Sequence, residues 1–246
     1  EDVKGQLLEE GITEAGAMSS WIAAATSYSH YNQPMLPFYS FYSMFGFQRI
    51  GDLAWAAGDI RARGFLMGGT AGRTTLNGEG LQHEDGHSHI LAGTIPNCHT
   101  YDPAFGYEMA VIIRDGIRVM MEEQQDRYYY ITMMNEAYKQ PAMPQRENIE
   151  RDIINGMYLL DEDKRQSGKH VQLLGSGTIL LEVMEAAKIL RDEFGIGADV
   201  WSVTSFNELR RNGLEVERWN RLHPRETPRL SHVEECLQGR QGPVVA

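Results

Sequence analysis

Residues 171–204 constrain the fold most. Val171-Gln-Leu-Leu-Gly175 is a short apolar run closed by glycine, the pattern of a strand buried on both faces. Ser176-Gly-Thr178 follows, and then Ile179, Val183, Ala187, Leu190 and Phe194 recur at three- to four-residue spacing, the apolar stripe of a helix. Asp199-Val-Trp-Ser-Val-Thr204 resumes the strand pattern. Strand, helix and strand at this spacing predict a right-handed crossover between two parallel strands.

The rest of the chain repeats the alternation. Residues 7 to about 27 read as mostly helical, interrupted by Gly11 and Gly16. The aromatic-rich run 35–47, with Pro37 inside it, reads as a strand entering a loop or helix start, and 50–62 as helix. Gly64-Phe-Leu-Met-Gly68 is a second buried strand, residues 94–98 a short third, and residues 128–133 a fourth rich in β-formers. Asp102-Pro103 predicts a helix start, with Asp as N-cap and Pro in the first turn. Tyr107, Ala110, Val111, Arg114, Ile117 and Met121 follow at helical spacing, with Arg114 breaking the stripe. Residues 139–167 are polar, contain Pro141 and Pro144, and carry DEDKR at 161–165, which marks a boundary. The expected architecture is α/β with parallel sheets in two lobes, residues 1–150 and 168–246.

Composition narrows the partners. The 246 residues suit one large or two ordinary domains. No apolar run reaches the ~18 residues that cross a bilayer, so no membrane is expected. A net charge of −11 without a basic cluster argues against nucleic acid. The two cysteines, Cys98 and Cys236, form no C-x-x-C pair, which suits a reducing cytoplasm and offers no thiolate zinc site. Cys98 is expected to pack as a small buried residue. The chain opens on Glu1 and stops in Gly-Pro-Val-Val-Ala246, and it reads as a piece of a longer polypeptide.

The segment GEGLQHEDGHSH, residues 78–89, contains HEDGH, a literal match to the H-E-x-x-H of zinc peptidases. That chemistry needs two histidines on successive turns of one helix. Gly78, Gly80 and Gly86 surround or interrupt the motif, and each interior glycine costs a helix ~1 kcal/mol relative to Ala. A loop at the end of a strand is expected instead. Such a loop is either a solvated polar segment or a ligand-binding one, since α/β folds place ligands at the ends of parallel strands. A histidine there can move a proton near neutral pH.

GITEAGAMSSW (11–21), FYSFYSMFGFQRIGDLAWAAGD (38–59), GGTAGRTTLNGEGLQHEDGHSH (68–89) and TIPNCHTYDPAFGYE (94–108) together resemble the bacterial homodimeric pyruvate dehydrogenases. These are the decarboxylating, thiamine-diphosphate-dependent components of the pyruvate dehydrogenase complex. The resemblance continues through VQLLGSGTILLEVMEAA, DVWSVTSFNELRRNG and ERWNRLHPRETPR, nearly the whole chain, and is more distantly similar to transketolase.

The resemblance implies a three-layer, parallel-sheet domain binding the cofactor's pyrimidine ring over residues 1–150. Residues 168–246 then begin a transketolase-like C-terminal α/β domain. The family's diphosphate and magnesium site, marked by G-D-G and a later Asn, is expected outside this chain. Arg114-Asp115-Gly116 lies inside a predicted helix and does not supply it, so no metal ligand is assigned here.

By the same resemblance, Glu14 is the catalytic carboxyl that bonds a pyrimidine ring nitrogen, a task that partial burial favours. Phe45 stacks on that ring, a contact worth ~1 kcal/mol beyond area burial. Tyr42 joins the same wall. His83 lies near the reacting carbon, able to orient substrate and shuttle a proton. His87 and His89 are expected to structure the loop, with Glu84 and Asp85 fixing their tautomers, and Arg49 and Asp52 to reach the dimer contact. The implied reaction decarboxylates pyruvate, the end product of glycolysis, and passes the acetyl unit to a lipoyl group of the acyltransferase component, in a cytoplasmic homodimer. This chain alone is expected to be inactive. A transketolase, a 2-oxoglutarate decarboxylase and the zinc peptidase are the alternatives.

Overall fold

The computed structural model describes residues 4–71, 83–165 and 168–246. Strands β1 (Phe38–Tyr42), β2 (Phe65–Gly69), β3 (Cys98–Tyr101) and β4 (Tyr128–Thr132) form one sheet in the order β1-β2-β4-β3, every pair parallel. Strand side chains alternate between faces, and Tyr128-Tyr129-Tyr130 shows how this builds three layers. Tyr128 and Tyr130 pack with Leu66 against Trp21, Phe47 and Ile50 from α1 (Glu14–Ala25) and α3 (Ser43–Asp59). Tyr129 turns the other way, joining Phe65 and Ile131 beneath α5 (Gly106–Ile117) and α6 (Ile149–Asn155). The buried phenols keep partners: Tyr128 donates to the Ala54 carbonyl and Tyr130 to the Ser88 hydroxyl, each at 2.9 Å. The Trp21 indole N–H, shared between the Pro37 and Phe65 carbonyls at 3.1 Å each, ties α1 to the sheet. Short helices α2 (Ser27–Tyr31) and α4 (Ser88–Ala92) complete this unit.

Strands β5 (Tyr158–Asp161), β6 (His170–Gly175), β7 (Gly197–Ser202) and β8 (Val244–Val245) form a second sheet in the order β5-β7-β6-β8. Helix α7 (Ile179–Glu193) joins β6 to β7, which pair in parallel, so the crossover expected from residues 171–204 is present. It covers one face of the sheet, with Leu180 and Ala187 against Val171, Leu173 and Val200. The other face, with Leu174 and Trp201, packs under α8 (Phe206–Leu222) and α9 (His232–Leu237) through Leu209 and Val233. Strand β5 runs antiparallel to β7, an exception to the expected parallel order. It also falls, like α6, within the stretch 139–167 read as a boundary. Among the described residues no helix is long and apolar enough to cross a membrane.

Four elements begin elsewhere than the periodicity suggests, α3 among them, which starts at Ser43 and not at residue 50. Helix α1 starts at Glu14, not near residue 7: Gly11 has φ +70° and the Thr13 hydroxyl caps the helix by accepting from Gly16 N–H at 3.3 Å. The third strand is Cys98–Tyr101, because 94–97 is taken up by turns around Pro96. Helix α5 starts at Gly106 and not at Asp102. The Glu108 carboxylate accepts the N–H groups of Ala104 and Phe105 at 2.7 and 2.9 Å, which frees Asp102 for another task.

That task is the seam between the sheets. The Asp102 N–H donates to the Thr204 carbonyl at 2.8 Å, and its carboxylate accepts from Thr132 at 2.6 Å and Ser176 at 3.0 Å. Gly177 sits at φ +53°, where an added Cβ would come within 2.7 Å of that carboxylate, so glycine is required for both conformation and space.

Candidate active site

Glu14 opens α1, where a carboxylate is favoured by the helix dipole. Its side chain is about one-fifth exposed and pairs with the Arg49 guanidinium. Arg49 lies one helical turn beyond Phe45 on α3, a spacing that stacks side chains on one helix face. Its guanidinium carbon is 4.7 Å from the Phe45 ring centroid. His83 meets Phe45 edge-on at 5.3 Å between centroids and Tyr42 at 5.9 Å. Tyr42, at the end of β1, is 6.2 Å from Phe45. Tyr42, Phe45 and His83 therefore form one wall, and Glu14 is joined to it through Arg49.

Tyr39 reports the electrostatics there. Its hydroxyl donates to the Glu14 carbonyl at 3.5 Å. Burial, then the negative charges of Glu14 and Glu10, push its phenol up to about 12.

The loop carrying His83 is anchored by Asp85, and this corrects an expectation. Asp85 does not hold an imidazole tautomer. It is buried, and one carboxylate oxygen accepts from the His87 and Ser88 N–H groups at 3.1 and 3.0 Å while the other takes the Ser88 hydroxyl. Burial alone would raise this carboxyl, but the bonds from Ser88 and His87 outweigh it and hold it below the usual carboxylate range. Ser88 in turn accepts from Tyr130 of β4, so a core strand fixes the loop.

The three histidines part company. His87 Nε2 lies 2.9 Å from Gln48 on α3. His89 Nε2 lies 3.0 Å from the Thr132 hydroxyl, at the seam. Only His83 reaches the aromatic wall. Helix α4 starts at Ser88, and no α-helix spans 83–87, so HEDGH lacks the two-turn helix that a zinc peptidase requires. Gly78 and Gly80 lie outside the described residues. Among the described residues no group of three or more His, Cys, Asp or Glu could hold a metal ion. Cys98 is buried, as expected, and burial pushes its thiol up to about 12.

Arg49 is the residue whose part the sequence did not reveal. Within this chain it bridges the Glu14 carboxylate and the Phe45 ring, a contact the sequence reading did not include. The signal was present in the four-residue spacing of Phe45 and Arg49, but the partner 35 positions upstream had no local signature. The bridge also tests the wall chemically. A flat, nitrogen-rich cation donates to the carboxylate while lying on the ring, so the residues fit a planar nitrogen heterocycle that needs a hydrogen-bond partner at one edge and a π-face.

Comparisons with known proteins agree with this frame. The profile of the pyruvate dehydrogenase E1 component middle domain matches residues 1–141, and that of the transketolase-like C-terminal domain matches residues 156–246. The chain is similar to the pyruvate dehydrogenase E1 component of Pseudomonas aeruginosa, 77% identical over 246 residues, all of this chain and 28% of that protein. It is 62% identical over 247 residues to the protein of that name from Escherichia coli K12, again covering all of this chain and 27% of the relative. The chain thus spans little more than a quarter of the length of these relatives. Among solved structures, transketolase from Campylobacter jejuni aligns with TM-score 0.63 and 20% identity over 83% of this chain and 29% of that one. Transketolase from Leishmania mexicana aligns with TM-score 0.62 and 13% identity over 82% of this chain and 27% of that one. At such identities the likeness concerns the fold alone.

Proposed function

The chain belongs to the pyruvate dehydrogenase E1 component family, and on that premise we propose that it forms the pyrimidine-binding part, and the beginning of the C-terminal part, of a thiamine-diphosphate enzyme that decarboxylates pyruvate. The observation that supports this most is the wall formed by Phe45, Tyr42 and His83, with Glu14 joined to it by a planar cation on the acid and the ring. Thiamine diphosphate, when bound, supplies the nucleophilic carbon and the electron sink that decarboxylation of a 2-oxo acid needs.

The chain's own residues do the rest. Glu14 would bond a ring nitrogen and hold or release a proton there. Phe45 presents a flat face that sets the height of the heterocycle. Tyr42 and His83 would border the substrate side, where His83 would orient the substrate and move a proton. Asp85 keeps His83 in place through the capped α4. The diphosphate and its magnesium are held by residues outside this chain, and for that reason the isolated chain is inactive.

The acetyl unit passes to a lipoyl group on the acyltransferase component, in a homodimer working in the cytoplasm. The pyrimidine-binding unit is taken to end near residue 150. Because β5 pairs with β7, we place the start of the second unit at Tyr158, ahead of residue 168. The deciding experiment assays the full-length protein with pyruvate, 2-oxoglutarate and sugar phosphates. Turnover of pyruvate with release of carbon dioxide supports the proposal; preference for either other class refutes it.

A further inference from the structure

We infer that Asn207, on the second lobe, is a positioning residue for the His83 loop: its side-chain amide pins helix α4 from outside the first lobe and so helps fix where His83 stands. The inference rests on the placing of His83 at the substrate side in the preceding section.

The contact is direct. Asn207 lies in the first turn of α8, and its side-chain nitrogen donates to the His89 carbonyl of α4 and to the Thr100 hydroxyl of β3, both at 2.7 Å. One amide thereby joins three elements and uses both of its N–H groups. Gly93, at the C-cap of α4, makes room for it: an added Cβ there would stand 2.8 Å from the same nitrogen.

Helix α4 needs such a hold, because five residues have little helical stability of their own. Its N-terminal end is tied by Asp85 and Ser88 to Tyr130 of the first sheet. The His89 ring is tied at the seam. Thr132 has one hydroxyl proton and gives it to Asp102 at 2.6 Å, so its oxygen accepts from His89 Nε2 at 3.0 Å. Asn207 supplies what neither of these does, a bond from the second lobe to the α4 backbone. A single residue separates Asp85 from His83, so a shift of α4 is carried to the imidazole that meets Tyr42 and Phe45.

The test uses the full-length protein with thiamine diphosphate, magnesium and pyruvate. Asn207→Ala is expected to lower kcat by about 3- to 30-fold, less than the ~10²-fold of a full 1 Å misplacement, with cofactor affinity within about 2-fold of wild type. Asn207→Asp, which keeps the shape and removes the donor, should be as slow; full rescue by it would reduce Asn207 to a space-filler and overturn the inference. Gly93→Ala leaves Asn207 in the chain but displaces its amide, and should reproduce the loss. In a His83→Ala background Asn207→Ala should cost less than about 2-fold, because it acts through His83. A wild-type rate in Asn207→Ala, or an equal loss with and without His83, overturns the inference. Should Asn207→Ala fold poorly in thermal melts, Gly93→Ala carries the same comparison. Failure of the underlying site assignment looks different: His83→Ala by itself would then retain wild-type turnover of pyruvate, whatever Asn207 does.

Discussion

The Ser202 hydroxyl, at the end of β7, donates a 2.6 Å hydrogen bond to the Glu108 carboxylate on α5, joining the two sheets at one buried acid. Tyr158 of β5 donates to the same oxygen at 2.6 Å, and the backbone N–H groups of Ala104 and Phe105 fill the other. Burial pushes this carboxyl up, against four donors that favour its charged form. Removing the side chain would leave several buried donors without an acceptor. Glu108→Ala is therefore expected to destabilise the chain by on the order of 3–5 kcal/mol, with urea unfolding as the measurement. A loss under 1 kcal/mol would show that the seam does not depend on this acid.

A second acid at the seam predicts a pH dependence. Glu208 on α8 accepts from His99 of β3 at 2.9 Å, with Arg211 at 3.4 Å. Burial raises its carboxyl, but the His99 bond and the charges of His99 and Arg211 outweigh that and hold it below its ordinary value of 4.5. A group depressed in the folded state adds stability above its unfolded value and loses it as pH falls through the folded one. Glu208→Gln should thus be less stable than wild type at pH 7, by about 1–2 kcal/mol. The gap should close as pH falls below about 4.5. Melting temperatures of both proteins from pH 7 to 3 check this, and a gap that widens in acid refutes it.

Asp85 links stability to the site. Its carboxylate caps α4 and accepts from Ser88, which is bonded to Tyr130. Asp85→Ala is expected to cost ~1–2 kcal/mol, the range for a lost helix cap. In the full-length enzyme it should also lower turnover, because His83 loses its support. Unfolding curves and steady-state rates measured on the same variant give both numbers; a destabilised variant with wild-type turnover would remove Asp85 from the mechanism.

Glu14→Ala in the full-length enzyme is expected to cut the rate by about 10²–10⁴-fold, the contribution of a well-placed proton-transfer group. The fold should survive, since Glu14 is the first residue of α1 and the Thr13 cap remains. Rates are compared at saturating cofactor, with circular dichroism confirming the helix content. Retained activity would mean that the wall serves another purpose.

His83→Ala is expected to lower turnover of pyruvate by about 10²-fold while leaving cofactor affinity within about 2-fold. Calorimetry and steady-state kinetics on one preparation separate these effects. A large loss of affinity with normal turnover at saturation would make His83 a binding residue only.

Local pattern settled many of this chain's strands and helices, though not α6 and β5, which lie in the stretch read as a boundary. Gly64–Gly68 and Val171–Gly175 are apolar runs too short for helices and bounded by glycine, and the stripe from Ile179 to Phe194 has helical spacing. Both signals come from neighbours in sequence, so they survive without knowledge of the fold. Element starts did not, because Asp102 is drawn away by Thr132, Ser176 and Thr204, and Glu108 caps α5 in its place. The site divided along the same line. Glu14, Tyr42, Phe45 and His83 were legible as residue types within recognisable motifs. That Arg49 would reach Glu14, that Asp85 would bind backbone and not imidazole, and that His89 would leave for the seam were decided only by tertiary packing. A hydrogen bond is satisfied by whichever partner comes nearest in space, and distance along the chain carries no record of that.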